Sequence, residues 1–89
     1  MTTVDRGQVR DEAARVLEPF VTGAFKRQER ARGMAESLAM YGYLRGGEAR
    51  PDVYERVAND LGCRMDWPVA MRAADALREA GLLATEGAF

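Results

Sequence analysis

Apolar side chains recur at spacings of three and four along most of this chain, the period that predicts amphipathic α-helices. The first such stretch predicts a helix over residues 5–18. Pro19 disfavours helical geometry in the residue before it, so this helix is predicted to end or kink there. The residues predicted to face inward are Val9, Ala13, Val16, Leu17 and Phe20.

The second stretch predicts a long helix over residues 20–44, with Gly33 as a weak point inside it. The glycine-rich sequence from Tyr41 to Asp52 predicts the longest loop of the chain. One face of the helix carries mostly small residues, which let another helix approach closely and make a homodimer one alternative. That face consists of Val21, Ala24, Phe25, Gln28, Ala31, Ala35, Leu38, Ala39 and Gly42.

Residues 52–83 predict a helix, a tight turn and a longer helix, and two aspartates mark the predicted helix starts. Asp52 and Glu55 have the spacing of a capping box, in which each side chain bonds a free backbone N–H group. Asp66 is the second predicted cap, because Pro68 follows it in a first helical turn.

Glycines mark the predicted ends of both helices. Gly62 and Gly81 each follow an apolar stripe, where a left-handed residue commonly ends a helix. The first stripe is Val53, Val57, Ala58 and Leu61, and the second is Trp67, Ala70, Met71, Ala74, Leu77 and Ala80. Together these elements predict one all-α domain over residues 1–89: a small four-helix fold with a helix-turn-helix-like C-terminal half and at most a short terminal strand.

Length and composition narrow this picture. A domain of 89 residues buries roughly 60 to 65% of its unfolded surface, so modest stability or support by a partner is expected. The longest apolar runs are far short of a membrane span, so no membrane partner is expected. The start lacks a secretory signal pattern, and the single cysteine, Cys63, cannot form an internal disulfide. These features favour a cytoplasmic location.

Catalytic and metal chemistry lack the residue types they need. The chain has no histidine, one cysteine and no Asp-rich calcium loop, so no metal or cofactor is predicted. Ser37 has no evident base, and the stretch from Gly42 to Gly47 lacks the lysine of a phosphate loop. We therefore expect a non-catalytic binding module and not an enzyme.

Charge is unevenly distributed along the chain, although the net charge is only -1. Residues 24–50 carry six Lys or Arg against three acids, whereas residues 51–89 carry four Arg against seven acids. Lys26, Arg27 and Arg30 fall together on one side of the predicted second helix. They could contact phosphates, but a charged helical face is usually just solvated, and we favour that interpretation.

The C-terminal half resembles the winged helix-turn-helix superfamily of bacterial regulators over about residues 36–85, with Met34 to Leu44 as the preceding helix. In that family an alanine and a leucine pack the first helix, a glycine turns the chain, and the second helix ends in a glycine followed by a short strand. The resemblance implies a regulator that inserts its second helix into the major groove. The residues that carry it are Ala58-x-x-Leu61-Gly62-Cys63, Ala74-x-x-Leu77 and Arg78-Glu79-Ala80-Gly81-Leu82-Leu83.

Three departures from the family pattern point away from DNA. The turn is about two residues longer than usual, which would tilt the second helix away from its docking angle. The exposed positions of that helix, Asp66, Arg72, Asp75 and Glu79, are mostly acidic and would repel phosphates. The sequence after Gly81 predicts at most one strand, so the hairpin wing is missing or reduced.

We therefore predict a small acidic protein-binding regulator or inhibitor, of the phage type, that acts on a nucleic-acid machine, with DNA mimicry as one route. Trp67 is the candidate central anchor, and a tryptophan that merely caps the core is the alternative for it. The candidate protein-binding residues are Asp60, Asp66, Trp67, Asp75 and Glu79.

The alternative function is a DNA-binding transcription regulator of the helix-turn-helix type, dimeric through its first helix. Its candidate phosphate contacts are Lys26, Arg27, Arg30, Arg64 and Arg72. A continuous face that joins Arg64 and Arg72 to the basic triplet would favour DNA, whereas an acidic belt between them would favour a protein partner.

Overall fold

The computed structural model describes residues 6–85, and over this range the chain is all-α with no sheet, as predicted for a small four-helix domain. The predicted helix start at residue 5 and the residues after 85 lie outside the described range. The four helices are α1 (Arg6–Leu17), α2 (Arg27–Met40), α3 (Val53–Gly62) and α4 (Trp67–Glu79), and a short 3-10 helix spans Glu18–Phe20.

Two helix pairs build the core: α1 packs on α2, α3 packs on α4, and α1 also contacts α4. All four predicted inward residues of α3 are buried, so that stripe is confirmed. The stripe of α4 is confirmed only in its middle. Trp67 and Ala80 are exposed, and Ala73 is buried although the pattern did not predict it. The largest fully buried side chains are Leu17, Leu38, Leu61, Leu77, Leu82, Val53 and Val57.

The predicted second helix is wrong at its N-terminal end, where a 3-10 turn and a loop over residues 21–26 replace it. Gly23 has φ +82° and Lys26 has φ +51°, conformations that a right-handed helix excludes. Phe25 was predicted to lie on the helical face that another helix could approach, but it lies in this loop and is 77% exposed. Lys26 precedes the helix, so it does not share a helical face with Arg27 and Arg30.

The same helix also ends earlier than predicted, at Met40. Gly42 follows with φ +80°, and its N–H donates to the Ala39 carbonyl at 3.0 Å. The Tyr43 N–H donates to the Leu38 carbonyl, also at 3.0 Å. This pair of hydrogen bonds is the Schellman motif that closes a helix on a left-handed glycine.

The small-residue face of α2 lies inside the chain. Ala31 and Ala35 are 1% and 0% exposed, and α2 packs on α1. The small side chains let the two helices approach each other within one molecule. The middle of this face is therefore covered within one chain, whereas its first members in chain order after Val21, namely Ala24, Phe25 and Gln28, are exposed.

Gly81 ends α4 as predicted. It has φ +71°, its N–H donates to the Arg78 carbonyl, and the Leu82 N–H donates to the Leu77 carbonyl, both at 3.0 Å. Leu82 is then buried, so the turn carries the chain directly from α4 back into the core.

The left-handed stop predicted at Gly62 is wrong. Gly62 is the last residue of α3 and has no positive φ, and Cys63 after it is right-handed with φ -80°. The position needs a small residue for another reason. A Cβ at Gly62 would lie 2.8 Å from Cε3 of Trp67, closer than side chains pack.

Asp52 and Asp66 occupy the N-cap positions of α3 and α4, so the predicted helix starts are confirmed, but neither side chain makes a capping bond and the predicted capping box is wrong. The Asp52 carboxylate instead accepts a hydrogen bond from Arg56 Nε at 2.6 Å, one turn along α3. This bond lowers the pKa of Asp52 and raises the pKa of Arg56. Asp52 therefore stabilises α3 through a side-chain pair on its surface.

Backbone hydrogen bonds fasten the segment after α4 to the loop after α2. Arg45 N–H donates to the Leu82 carbonyl at 2.7 Å, and Ala84 N–H donates to the Tyr43 carbonyl at 2.8 Å. Within residues 6–85 these contacts form only isolated bridges, so the short terminal strand allowed by the sequence is reduced to bridge pairs. The loop and the segment nevertheless close one end of the core.

Candidate functional site

A groove of about 340 Å³ runs between α3 and α4, and we call it the α3–α4 groove. Its lining consists of four apolar or aromatic side chains, one amide and one acid, and the two helices that carry them pack directly on each other. The lining residues are Tyr54, Glu55, Ala58, Asn59, Trp67 and Met71.

Trp67 lines this groove and remains 52% exposed. It is the first residue of α4, and its ring approaches the backbone of Gly62 at the end of α3. Only a glycine leaves room for this approach, because a Cβ there would lie within 3 Å of two ring carbons. The indole is therefore supported on one side and open to solvent on the other.

Tyr54, another residue of the groove lining, ties α3 to α4 through Asp75. Its hydroxyl donates to Asp75 Oδ1 at 2.5 Å, and Arg78 Nη2 donates to the same oxygen at 3.2 Å. The Arg78 guanidinium also lies 4.3 Å from the centroid of the Tyr54 ring. The hydrogen bond to Asp75 raises the pKa of Tyr54, since it stabilises the protonated phenol.

Ion pairs within the α3–α4 unit neutralise most of its charges. The pairs are Arg56 with Asp52, Arg64 with Asp60, and Arg78 with Asp75. Three acids and one arginine between residues 52 and 79 have no ion pair to any described residue: Glu55, Asp66, Glu79 and Arg72. The unpaired charge of this unit is therefore acidic, and one of its acids, Glu55, lines the groove.

The predicted protein-binding residues are not gathered into one site. Of the five, Trp67 alone lines the α3–α4 groove, while Asp75 bonds Tyr54 beside it. The Asp60 side chain is only 21% exposed and pairs with Arg64, whereas Asp66 and Glu79 are exposed. Sequence reasoning missed Tyr54, although its spacing of four from Ala58 places both on one side of α3, beside the buried stripe.

The predicted nucleic-acid contacts fall into two groups. Arg27 Nε donates to the Gly23 carbonyl at 3.1 Å and Arg30 Nη1 to the Thr22 carbonyl at 2.7 Å, so both hold the loop before α2. The other members, Lys26, Arg64 and Arg72, are exposed.

Arg64 is connected to the basic side of α2, but Arg72 is not. Arg64 Nη2 donates to Ser37 Oγ at 3.2 Å. Ser37 lies seven residues after Arg30, about two helical turns along the same side of α2. No described contact links Arg72, on the outer side of α4, to this side of α2. The basic face that would favour DNA is therefore only partly assembled.

Over residues 6–85 no group of three or more His, Cys, Asp or Glu side chains is arranged to hold a metal ion. Among the same residues no helix has the length and apolar character that crossing a bilayer requires.

No family model matches this chain, and no curated protein or solved structure is significantly similar to it. The winged helix-turn-helix resemblance therefore stays an interpretation of local pattern.

Proposed function

We propose that this chain is a non-catalytic protein-binding module whose α3–α4 groove accepts a short apolar and basic segment of a partner protein. The single observation that supports this is the half-exposed Trp67 in the groove lining. Tryptophan is enriched among the residues that dominate protein interfaces, because it brings a large rigid contact area. A supported indole beside an apolar groove is suited to that role.

The acidic charge in and beside the α3–α4 groove favours a basic partner segment. Glu55 lines the groove without an ion-pair partner among the described residues. Asp66, which precedes Trp67, also has no ion-pair partner among these residues. A lysine or arginine next to the apolar anchor of a partner would complement these acids and favour its docking over that of an acidic segment. Basic segments are typical of proteins that handle nucleic acid, so the proposed role is a regulator or inhibitor of such a machine.

DNA mimicry has less support than direct docking in the groove. A mimic needs an array of free negative charges, but Arg64 and Arg78 pair with Asp60 and Asp75. The remaining acids are too few to copy the charge density of a duplex, which carries one phosphate per about 1.7 Å of axis.

Selection from a displayed random peptide library tests the proposal and identifies the occupant. We expect enriched peptides to carry a large apolar residue within a few positions of Lys or Arg. Trp67→Ala should weaken their binding by about ten-fold or more. Met40→Ala is the matched control, because Met40 is 78% exposed and does not line the groove. Enriched peptides that bind Trp67→Ala as tightly as the wild type would refute the proposal.

A duplex-DNA regulator remains the second candidate, since Arg64 reaches the side of α2 that carries Arg30. The charge of α4 speaks against this candidate. The unpaired acids Asp66 and Glu79 outnumber the unpaired Arg72 there. Fluorescence anisotropy with a mixed-sequence duplex across a salt series separates the two candidates. Binding that weakens steeply with salt and requires Arg72 would favour the regulator, and absence of binding at low salt would exclude it.

A further inference from the structure

Phe25 stands on the loop over residues 21–26, which we call the Phe25 loop, with 77% of its surface exposed. The loop is held in one conformation by its own neighbours. Arg30 Nη1 donates to the Thr22 carbonyl at 2.7 Å and to the Phe25 carbonyl at 3.4 Å, and Arg27 Nε donates to the Gly23 carbonyl at 3.1 Å. These hydrogen bonds connect the loop that carries the exposed ring to the first turn of α2.

Lys26, next to this ring, carries unusual backbone strain. Its φ of +51° is the only positive φ at a non-glycine residue in the described part of the chain. Glycine or asparagine would adopt this conformation at lower cost than a lysine does. The ammonium lies 5.5 Å from the centroid of the Phe25 ring. Strain therefore places a cation beside an exposed aromatic face.

The surroundings of the ring are mainly cationic. Lys26, Arg27 and Arg30 are exposed, and Glu29 is the one acid between residues 21 and 30. A cleft of about 440 Å³ adjoins the loop, and its lining adds a second acid, Glu18. A guanidinium has five N–H donors, so Arg27 and Arg30 keep donors for an anion after bonding the loop carbonyls.

We propose that the Phe25 loop binds single-stranded nucleic acid, with one base stacked on the Phe25 ring and the flanking phosphates held by Lys26 and Arg27. An exposed aromatic ring among cations is the combination that sequence-tolerant single-strand binders use. A duplex keeps its bases stacked inside, out of reach of the ring. An anionic membrane is a poorer fit, because Phe25 is the only large apolar residue that the loop exposes.

Anisotropy of a labelled short oligothymidylate, titrated with the full chain at low salt, tests this proposal. We expect micromolar binding that weakens as salt is added, since phosphates are neutralised. Phe25→Ala should weaken binding about ten-fold and Phe25→Trp should retain it. Met40→Ala should have no effect, because it removes an equally exposed apolar side chain at the other end of α2. Circular dichroism melts confirm that each variant is folded.

A second variant separates the side chain of Lys26 from its backbone. Lys26→Gly suits the positive φ, so the protein should melt at the same or a higher temperature while the oligonucleotide binds about three-fold more weakly with a shallower salt dependence. The proposal is overturned if Phe25→Ala binds as the wild type does, if a matched duplex binds as tightly as the single strand, or if phosphatidylglycerol vesicles bind and the oligonucleotide does not.

Discussion

Gly62 shows how one missing side chain shapes the α3–α4 groove. Its Cα leaves the space into which the Trp67 ring fits, so the residue decides where the indole lies. Gly33 offers the opposite environment, since a Cβ added there would meet no atom within 4 Å. The two helical glycines therefore form a natural pair for separating helix propensity from local packing.

Gly33→Ala should raise the free energy of unfolding by about 0.5 to 1 kcal/mol, the usual gain on replacing a helical glycine. Gly62→Ala should lower it by about 1 kcal/mol, because displacing the indole outweighs that gain. Urea unfolding measures both changes, and Trp67 emission should shift only in Gly62→Ala. An equal gain for both variants with unchanged emission would mean that Gly62 does not position the ring.

The hydrogen bond from Tyr54 to Asp75 makes the free energy of unfolding depend on pH in the alkaline range. The raised pKa of its phenol means that the hydrogen bond to Asp75 contributes fully below the unfolded value of about 10 and is lost as the pH rises through the folded value. Tyr54→Phe should cost about 1 kcal/mol at neutral pH and remove this alkaline loss. Unfolding midpoints of the wild type and of Tyr54→Phe, measured from neutral to strongly alkaline pH, test this prediction. A parallel decline of the two midpoints would contradict the assignment of the alkaline loss to Tyr54.

At the scale of elements, local rules predicted α3, the middle of α4 and the glycine stop at Gly81, because periodicity and a left-handed cap are encoded within a few residues. The start of α2 was missed because positive φ at Lys26 has no local signal in a lysine. Gly62 was misread because its role depends on Trp67, which belongs to another helix.

The groove itself could not be read from the sequence. Its walls come from two helices whose relative rotation is set by packing, and the link from Tyr54 to Asp75 spans 21 residues. Periodicity places each residue on its own helix but does not pair the helices. The Trp67 anchor was proposed from its type alone, whereas its support by Gly62 required the fold.

The buried contact between α1 and α2 leads us to predict how a larger side chain there changes the free energy of unfolding. Ala35→Leu should lower the free energy of unfolding by about 1 to 3 kcal/mol, because it overfills a buried contact within one chain. Glu36→Leu places the same leucine side chain on the exposed side of α2 and should change stability far less. Urea unfolding at several protein concentrations is the measurement. A midpoint that depends on concentration, and loses that dependence in Ala35→Leu, would instead place this face in a dimer.

At the scale of the whole molecule, the two helix pairs have different surfaces. The α3–α4 pair carries the groove with Trp67 and an excess of unpaired acids. The cationic Phe25 loop directly precedes α2. Since α1 packs against both α2 and α4, one core holds the two surfaces. The proposed module thereby combines a protein contact with a nucleic-acid contact, as a regulator of a nucleic-acid machine would require.

Docking of a basic and apolar segment in the α3–α4 groove can be followed directly through Trp67, the only tryptophan of the chain. Its fluorescence is recorded during titration with a synthetic helical peptide of Leu and Arg. We expect a saturable shift of the emission to shorter wavelength, which is weakened in Glu55→Gln and absent with the matching peptide of Leu and Glu. No shift with the arginine peptide, or an equal shift with both peptides, would contradict a groove selective for basic and apolar segments.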